Sequence, residues 1–244
     1  MHVLAMQSMT EVKLWLRRRE TVFFSLLLPV MFLVFFGAVY GSQKRDGITY
    51  ISYLVPGYAV FATMAVALGT VCTNLATERQ SHILKRLGGT PLPRWKMIVA
   101  KVIAGSLLVA AVVLVLVLVG TLVYGAHLRG NSLEALLVLA IGVAVFSVMG
   151  IVLGGTVKAE SSVAVANLVY LTLSFLGGVF VPLDQFPKSL QNFATLLPSE
   201  RLTDAVETIW TRGQGISDTG MDIPVLVAWA VVILLIGSRT FRWE

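Results

Sequence analysis

Long apolar runs separated by short polar stretches dominate this chain. A hydrocarbon core about 30 Å thick needs roughly 20 apolar residues in a helix, and six runs approach that length. They predict membrane spans over residues 21–40, 53–73, 97–124, 133–156, 163–181 and 223–237. The third is long enough to tilt, and the sixth is short but ends near Phe241 and Trp243, which suit the membrane interface. Ahead of the first run, Val3, Met6, Met9, Leu14 and Leu16 alternate with polar residues and lead into Arg17–Arg19. That pattern predicts an interfacial helix within residues 1–20. After the fifth run, Phe186, Leu190, Phe193, Ala194 and Leu197 recur at helical spacing between Pro187 and Pro198, which predicts a short re-entrant helix. The fold class is therefore an all-α integral membrane protein forming one domain over 1–244.

Composition agrees with the pattern. Of 244 residues, 57% are hydrophobic and only 13% charged, and the mean hydropathy is +0.83, too apolar for a single soluble core. The net charge of +6 does not point to nucleic acid, because the cations lie between apolar runs. With both termini placed in the cytoplasm, thirteen of the nineteen Lys and Arg residues fall on the inner side. The expected location is a plasma or inner membrane, with an even number of spans. Cys72 lies in an apolar stretch and reads as packing. A removed signal peptide is not expected. No His pair, intramembrane carboxylate pair or nucleophile and base spacing suggests catalysis or a metal site, and His2, His82 and His127 are scattered.

Two stretches depart from plain span and loop. In residues 76–101, Glu78 and Arg79 precede a short helical segment carrying Lys85 and Arg86, and Gly88, Gly89, Pro91 and Pro93 then break the backbone. A short helix between breakers, with a membrane helix on either side, is suited to passing force from a soluble partner. An ordinary basic loop fits the same composition. In residues 174–206, Gly177 and Gly178 weaken the fifth run near its end and Pro182 stops it, which makes this point a candidate exit gate.

Together these stretches resemble the ABC type-2 transporter permeases, which include multidrug and antibiotic-resistance exporters. The resemblance is carried by Glu78, Arg79, Leu84, Lys85, Arg86, Leu87, Thr90 and Pro91 in the first stretch. In the second it is carried by Gly178, Phe180, Pro182, Phe186, Pro187 and Leu197–Pro198. Ser81-His82-Ile83 stands where family members commonly show a glycine and a threonine. The resemblance implies a cytoplasmic coupling helix that meets an ATPase through Glu78, Arg79, His82, Lys85, Arg86 and Leu87. It also implies an exit gate at Gly177, Gly178, Phe180 and Pro182, and a second permease, identical or a sister subunit. The chain lacks a G-x-x-x-x-G-K-[ST] phosphate loop, so ATP and magnesium are expected on a separate ATP-binding subunit, and this chain is expected to be non-catalytic.

Small and polar residues mark one face of two spans. Thr63, Ala67, Thr70, Asn74 and Thr77 do so in the second, and Asn167, Tyr170, Ser174 and Gly178 in the fifth. These seams are candidates for a substrate pathway, and helix packing explains the same residues, as it explains Gly37-x-x-x-Gly41 and Gly150-x-x-x-Gly154. The absence of charge near the middle of the predicted spans favours drug-like, lipid or other amphipathic cargo and weakens an ion-coupled carrier. A membrane anchor or regulatory subunit without transport is the remaining alternative.

Overall fold

A computed structural model of the chain describes Met9 and residues 19–41, 43–45, 47–81 and 94–240. Apart from Met9 and the helical start at Arg19, the expected interfacial helix over 1–20 lies outside the described residues. So do His82, Lys85, Arg86, Leu87, Gly88, Gly89, Thr90 and Pro91 of the expected coupling segment.

The described fold is helical except for one small hairpin. In chain order it comprises α1 (Arg19–Tyr40), β1 (Lys44–Arg45) paired antiparallel with β2 (Ile48–Thr49), α2 (Ile51–Gln80), α3 (Arg94–Leu122), α4 (Ser132–Thr156) and α5 (Ala159–Leu176). Short helix α6 (Lys188–Ala194), α7 (Pro198–Trp210) and α8 (Asp222–Thr240) follow. Four helices, α2 to α5, are long and apolar enough to cross a membrane, while the apolar parts of α1 (Leu26–Tyr40) and α8 (Asp222–Gly237) are shorter.

Helix α2 is the centre of the bundle. Nearly all its apolar length is buried, whereas α3 and α5 turn most of theirs outward. It is α-helical except for one π turn at Ala65–Thr70, where the hydrogen-bond register slips by one residue. Gly150 of α4 presses against this turn, and Gly154 against the stretch of α2 just after it. A side-chain carbon on Gly150 would sit 2.8 Å from the Leu68 carbonyl oxygen, and one on Gly154 would sit 2.6 Å from that of Cys72. The Gly-x-x-x-Gly spacing therefore serves close backbone approach. Cys72 itself is fully buried beside it.

Helix boundaries differ from the sequence expectation, beginning with α2, which continues to Gln80 rather than ending at 73. The fifth helix spans Ala159–Leu176 rather than 163–181, because Gly178 adopts a left-handed φ of +74° and the chain leaves the helix there. The connection after Pro198, where no helix was expected, contains α7. Pro198 occupies its first turn, where a missing N–H costs nothing. Leu202, Ala205, Val206 and Ile209 form its fully buried stripe, and it packs against α2, α4 and α8.

Candidate functional site

The last turn of α2 holds three other helices. Glu78 accepts hydrogen bonds from Lys101 Nζ on α3 through both carboxylate oxygens, at 3.0 and 3.2 Å. Lys101 is only 2% exposed, so Glu78 supplies countercharge to a buried ammonium. Arg79 donates from Nη1 to the Gly155 carbonyl and from Nη2 to that of Val157, the latter at 2.7 Å. Carbonyls at a helix C-terminus lack intrahelical partners and carry partial negative charge, so a guanidinium there satisfies both the geometry and the field of α4. Gln80 Nε2 reaches Glu160 Oε1 at the start of α5, 2.6 Å away. The connection over 82–93 thus emerges from a turn fastened to α3, α4 and α5. Of the expected coupling residues, Glu78 and Arg79 are placed, and the other four lie outside the described residues.

The polar seams separate. On α2, Thr63 is buried and donates to the Ala59 carbonyl at 2.9 Å within its own helix, and Thr70 and Asn74 are buried as well. On α5, Ser174 is buried and donates to the Tyr170 carbonyl at 2.6 Å. The ring of Tyr170 meets Phe61 edge-on at 5.7 Å. Asn167 is on the exposed face of α5, in the same helix as outward-facing Val163, Leu168 and Phe175. The structure brings Thr63, Thr70, Tyr170 and Ser174 into the packed interior and leaves Asn167 outside it.

At the opposite end of α2, the segment after α5 folds back against the bundle. Gly57 lies so close to this segment that a side-chain carbon there would come within 2.6 Å of the Val179 carbonyl. Gly177 leaves room for Ser199 at the start of α7. Phe180 inserts among Phe32, Tyr58, Phe61 and Phe175, with ring centroids 5.8, 6.0, 5.2 and 4.9 Å away. Aromatic pairs at these spacings add to the apolar burial. The four expected gate residues therefore lie on one short segment, with Phe180 plugged into an aromatic cluster and Pro182 preceding the turn Leu183–Gln185.

Beside this plug lies a cavity of about 300 Å³ that includes Tyr53, Gly177, Gly178, Pro182, Glu200 and Arg212 in its lining. Several ion pairs in and around it come from α7, which the sequence reading missed. Arg201 bridges to Asp222 at 3.0 Å and donates to the Thr195 carbonyl at 2.6 Å, while Arg212 binds Asp204 at 2.6 Å. Burial pushes the Glu200 carboxyl up to about 7. Asp204 and Asp222 push in the same direction, and Arg201 and Arg212 oppose it. The period of Leu202, Ala205, Val206 and Ile209 after a proline was the signal available for α7. Lys101 gave no such signal, because its partner lies 23 residues away in sequence.

A helical bundle with four long apolar helices among the described residues is the architecture of a membrane protein. The chain belongs to the ABC-2 type transporter family, whose profile matches residues 4–209. It is 26% identical over 243 residues to a Bacillus subtilis (strain 168) protein named as the transport permease YvfS, covering 99% of this chain and 98% of that one. It is 23% identical over 190 residues to the inner membrane transport permease YadH of Escherichia coli (strain K12), covering 77% and 73%. Nodulation protein J of Rhizobium leguminosarum bv. viciae is 26% identical over 222 residues, covering 88% and 83%.

Proposed function

We propose that this chain is the membrane subunit of an ABC exporter, moving a drug-like, lipid or other amphipathic substrate out of the cytoplasm. ATP and magnesium bind and react on a separate ATP-binding subunit, and a second permease, identical or a sister chain, completes the pathway along the face of α5 that carries Asn167. The termini and the 82–93 connection face the cytoplasm, where His82, Lys85, Arg86 and Leu87 meet the ATPase. The observation that carries this reading is the fastening of the turn before that connection. Glu78, Arg79 and Gln80 tie it to α3, α4 and α5, so a displacement imposed on the connection moves four helices together. The aromatic plug at Phe180 is then the barrier that the displacement opens.

Reconstitution of the chain with its ATP-binding partner in vesicles tests the proposal. ATP-dependent movement of a fluorescent lipid or amphipathic dye is expected, with Arg86→Ala retaining assembly but losing most of the coupled transport. Transport driven by an ion gradient without the ATPase would replace this reading with a carrier. Assembly without any movement of a broad cargo panel would replace it with an anchoring subunit.

A further inference from the structure

We propose that α6 is a latched lid, held closed through Arg201 and released when Glu200 ionises. The helix has little packing of its own to hold it. Over Lys188–Ala194 only Ala194 is buried, and the main contact of α6 among the described elements is the turn Leu183–Gln185 that precedes it. Two side chains secure its link to α7 instead. Arg201 Nε donates to the Thr195 carbonyl at 2.6 Å, and Trp229 Nε1 on α8 donates to that of Leu196 at 2.7 Å. An element held by a few hydrogen bonds, with little apolar burial, belongs to the part of a fold that opens most readily.

Arg201 is shared three ways. Its Nη1 donates to Asp222 at 3.0 Å, and its Nε, already given to Thr195, stands 3.5 Å from Glu200 Oε2. That oxygen is buried and accepts no hydrogen bond, which a neutral carboxyl tolerates far better than a carboxylate. The other charged and titratable groups that face Glu200 are Asp204 and Glu207 on α7, Arg212 after it, Asp222 at the start of α8, Tyr53 on α2 and Asp184 after Pro182. Arg212 is engaged with Asp204 at 2.6 Å, so Arg201 is the cation that a newly charged Glu200 draws. A carboxylate outcompetes a neutral carbonyl for one N–H. Ionisation therefore takes Nε from Thr195 and leaves the link to Trp229. Burial holds the carboxyl neutral up to about pH 7, so the latch is closed below that pH and released above it. The latch is a property of the folded chain and does not rest on the export reading.

The test is thiol labelling of Ala194→Cys in the purified full chain carrying Cys72→Ala, so that a single thiol reports the buried side of the lid. The same thiol in a Glu200→Gln background, where the side chain stays neutral, corrects for ionisation of the thiol itself. Between about pH 6 and about pH 8.5 the labelling rate with Glu200 present should rise about tenfold more than in the Glu200→Gln background, with the midpoint of the excess near pH 7. Arg201→Gln, which removes the latch, should label fast at both ends of that range. The same pH profile with and without Glu200→Gln, or slow labelling with Arg201→Gln, would each overturn the latch. If Arg201→Gln fails to fold, the Glu200→Gln comparison decides. If Glu200→Gln fails, hydrogen exchange of the 195–197 amides in the wild type decides, and it must quicken beyond its intrinsic pH dependence over the same range.

Discussion

Glu78→Gln tests the fastening of α2 most directly. The substitution keeps the size of the side chain and one hydrogen-bond acceptor but removes the charge facing Lys101. The ammonium is 3% exposed at its side chain and the carboxylate 17%, so water screens the lysine hardly at all and the glutamate slightly. Removing one partner of a buried pair costs about 3–5 kcal/mol, and partial access at Glu78 together with the retained amide oxygen lowers this to about 2–3 kcal/mol. Lys101→Met should cost less, because the carboxylate left behind reaches some water. The double variant should recover much of the loss, giving a coupling of about 1–2 kcal/mol in a double-mutant cycle. Detergent-denaturation curves of the four purified proteins measure it. Simple addition of the two single losses would refute the claim that the charges stabilise each other across α2 and α3.

Two further outcomes follow from the packing and the charge. Gly154→Leu places a side chain where its first carbon would lie 2.6 Å from the Cys72 carbonyl. It should therefore separate α4 from α2 and lower stability by about 2–4 kcal/mol, whereas Gly47→Ala, in a hairpin turn with open space around it, should cost about 1 kcal/mol through its positive φ alone. Equal losses would refute the close contact. Glu200 has a folded pKa raised from 4.5 to about 7, so it holds its proton more tightly folded than unfolded. Its stabilisation is complete below pH 4.5 and is lost as pH rises through 7, a change of about 3 kcal/mol at most. Melting temperatures between pH 5 and 8 should fall more steeply for the wild type than for Glu200→Gln, and parallel curves would contradict the burial of this carboxyl.

Hydropathy located the helices well where apolar residues alone decide them. It failed where polar residues are buried through partners distant in sequence. The apolar run of α2 ends near Thr73, yet the helix continues to Gln80, because Glu78 and Arg79 find Lys101 and the carbonyls at the end of α4 only once the chain has folded. Helix α7 was obscured by its own buried polar residues. Ser199, Glu200, Thr203 and Thr208 dilute its apolar stripe, and the partners of the last three lie within the helix or the turn after it: Thr203 donates to the Ser199 carbonyl, Thr208 accepts from Arg212 and Glu200 faces Arg201. The end of α5 was anticipated in kind but not in place. Gly177, Gly178 and Pro182 were all visible, and the glycine with positive φ ends the helix before the proline is reached. Of the candidate site, Phe180 and Pro182 were legible as a break, whereas the insertion of Phe180 among rings from α1, α2 and α5 depends on tertiary contact.

The position of α2 links these features mechanically. Its thirty residues span about 45 Å at 1.5 Å per residue. One end is tied to α3, α4 and α5 through Glu78, Arg79 and Gln80. At the other, the Ser52 carbonyl accepts from Thr211 Oγ1 at 2.9 Å, Ser52 Oγ accepts from the His127 amide at 3.1 Å, and Gly57 lies against Val179 of the segment after α5. A straight, uniformly bonded rod so held would move only as a whole. The π turn at Ala65–Thr70 interrupts the hydrogen-bond register midway, and Gly150 of α4, packed on it, with Gly154 just beyond it, opposes a change in its shape. Under the export proposal, a push at the 78–81 turn is therefore resolved either as rotation of all of α2, which drags Val179 and Phe180 with it, or as a register change at the π turn, which leaves the gate still. The tight packing of Gly150 and Gly154 favours the rotation, and so couples the connection to the gate.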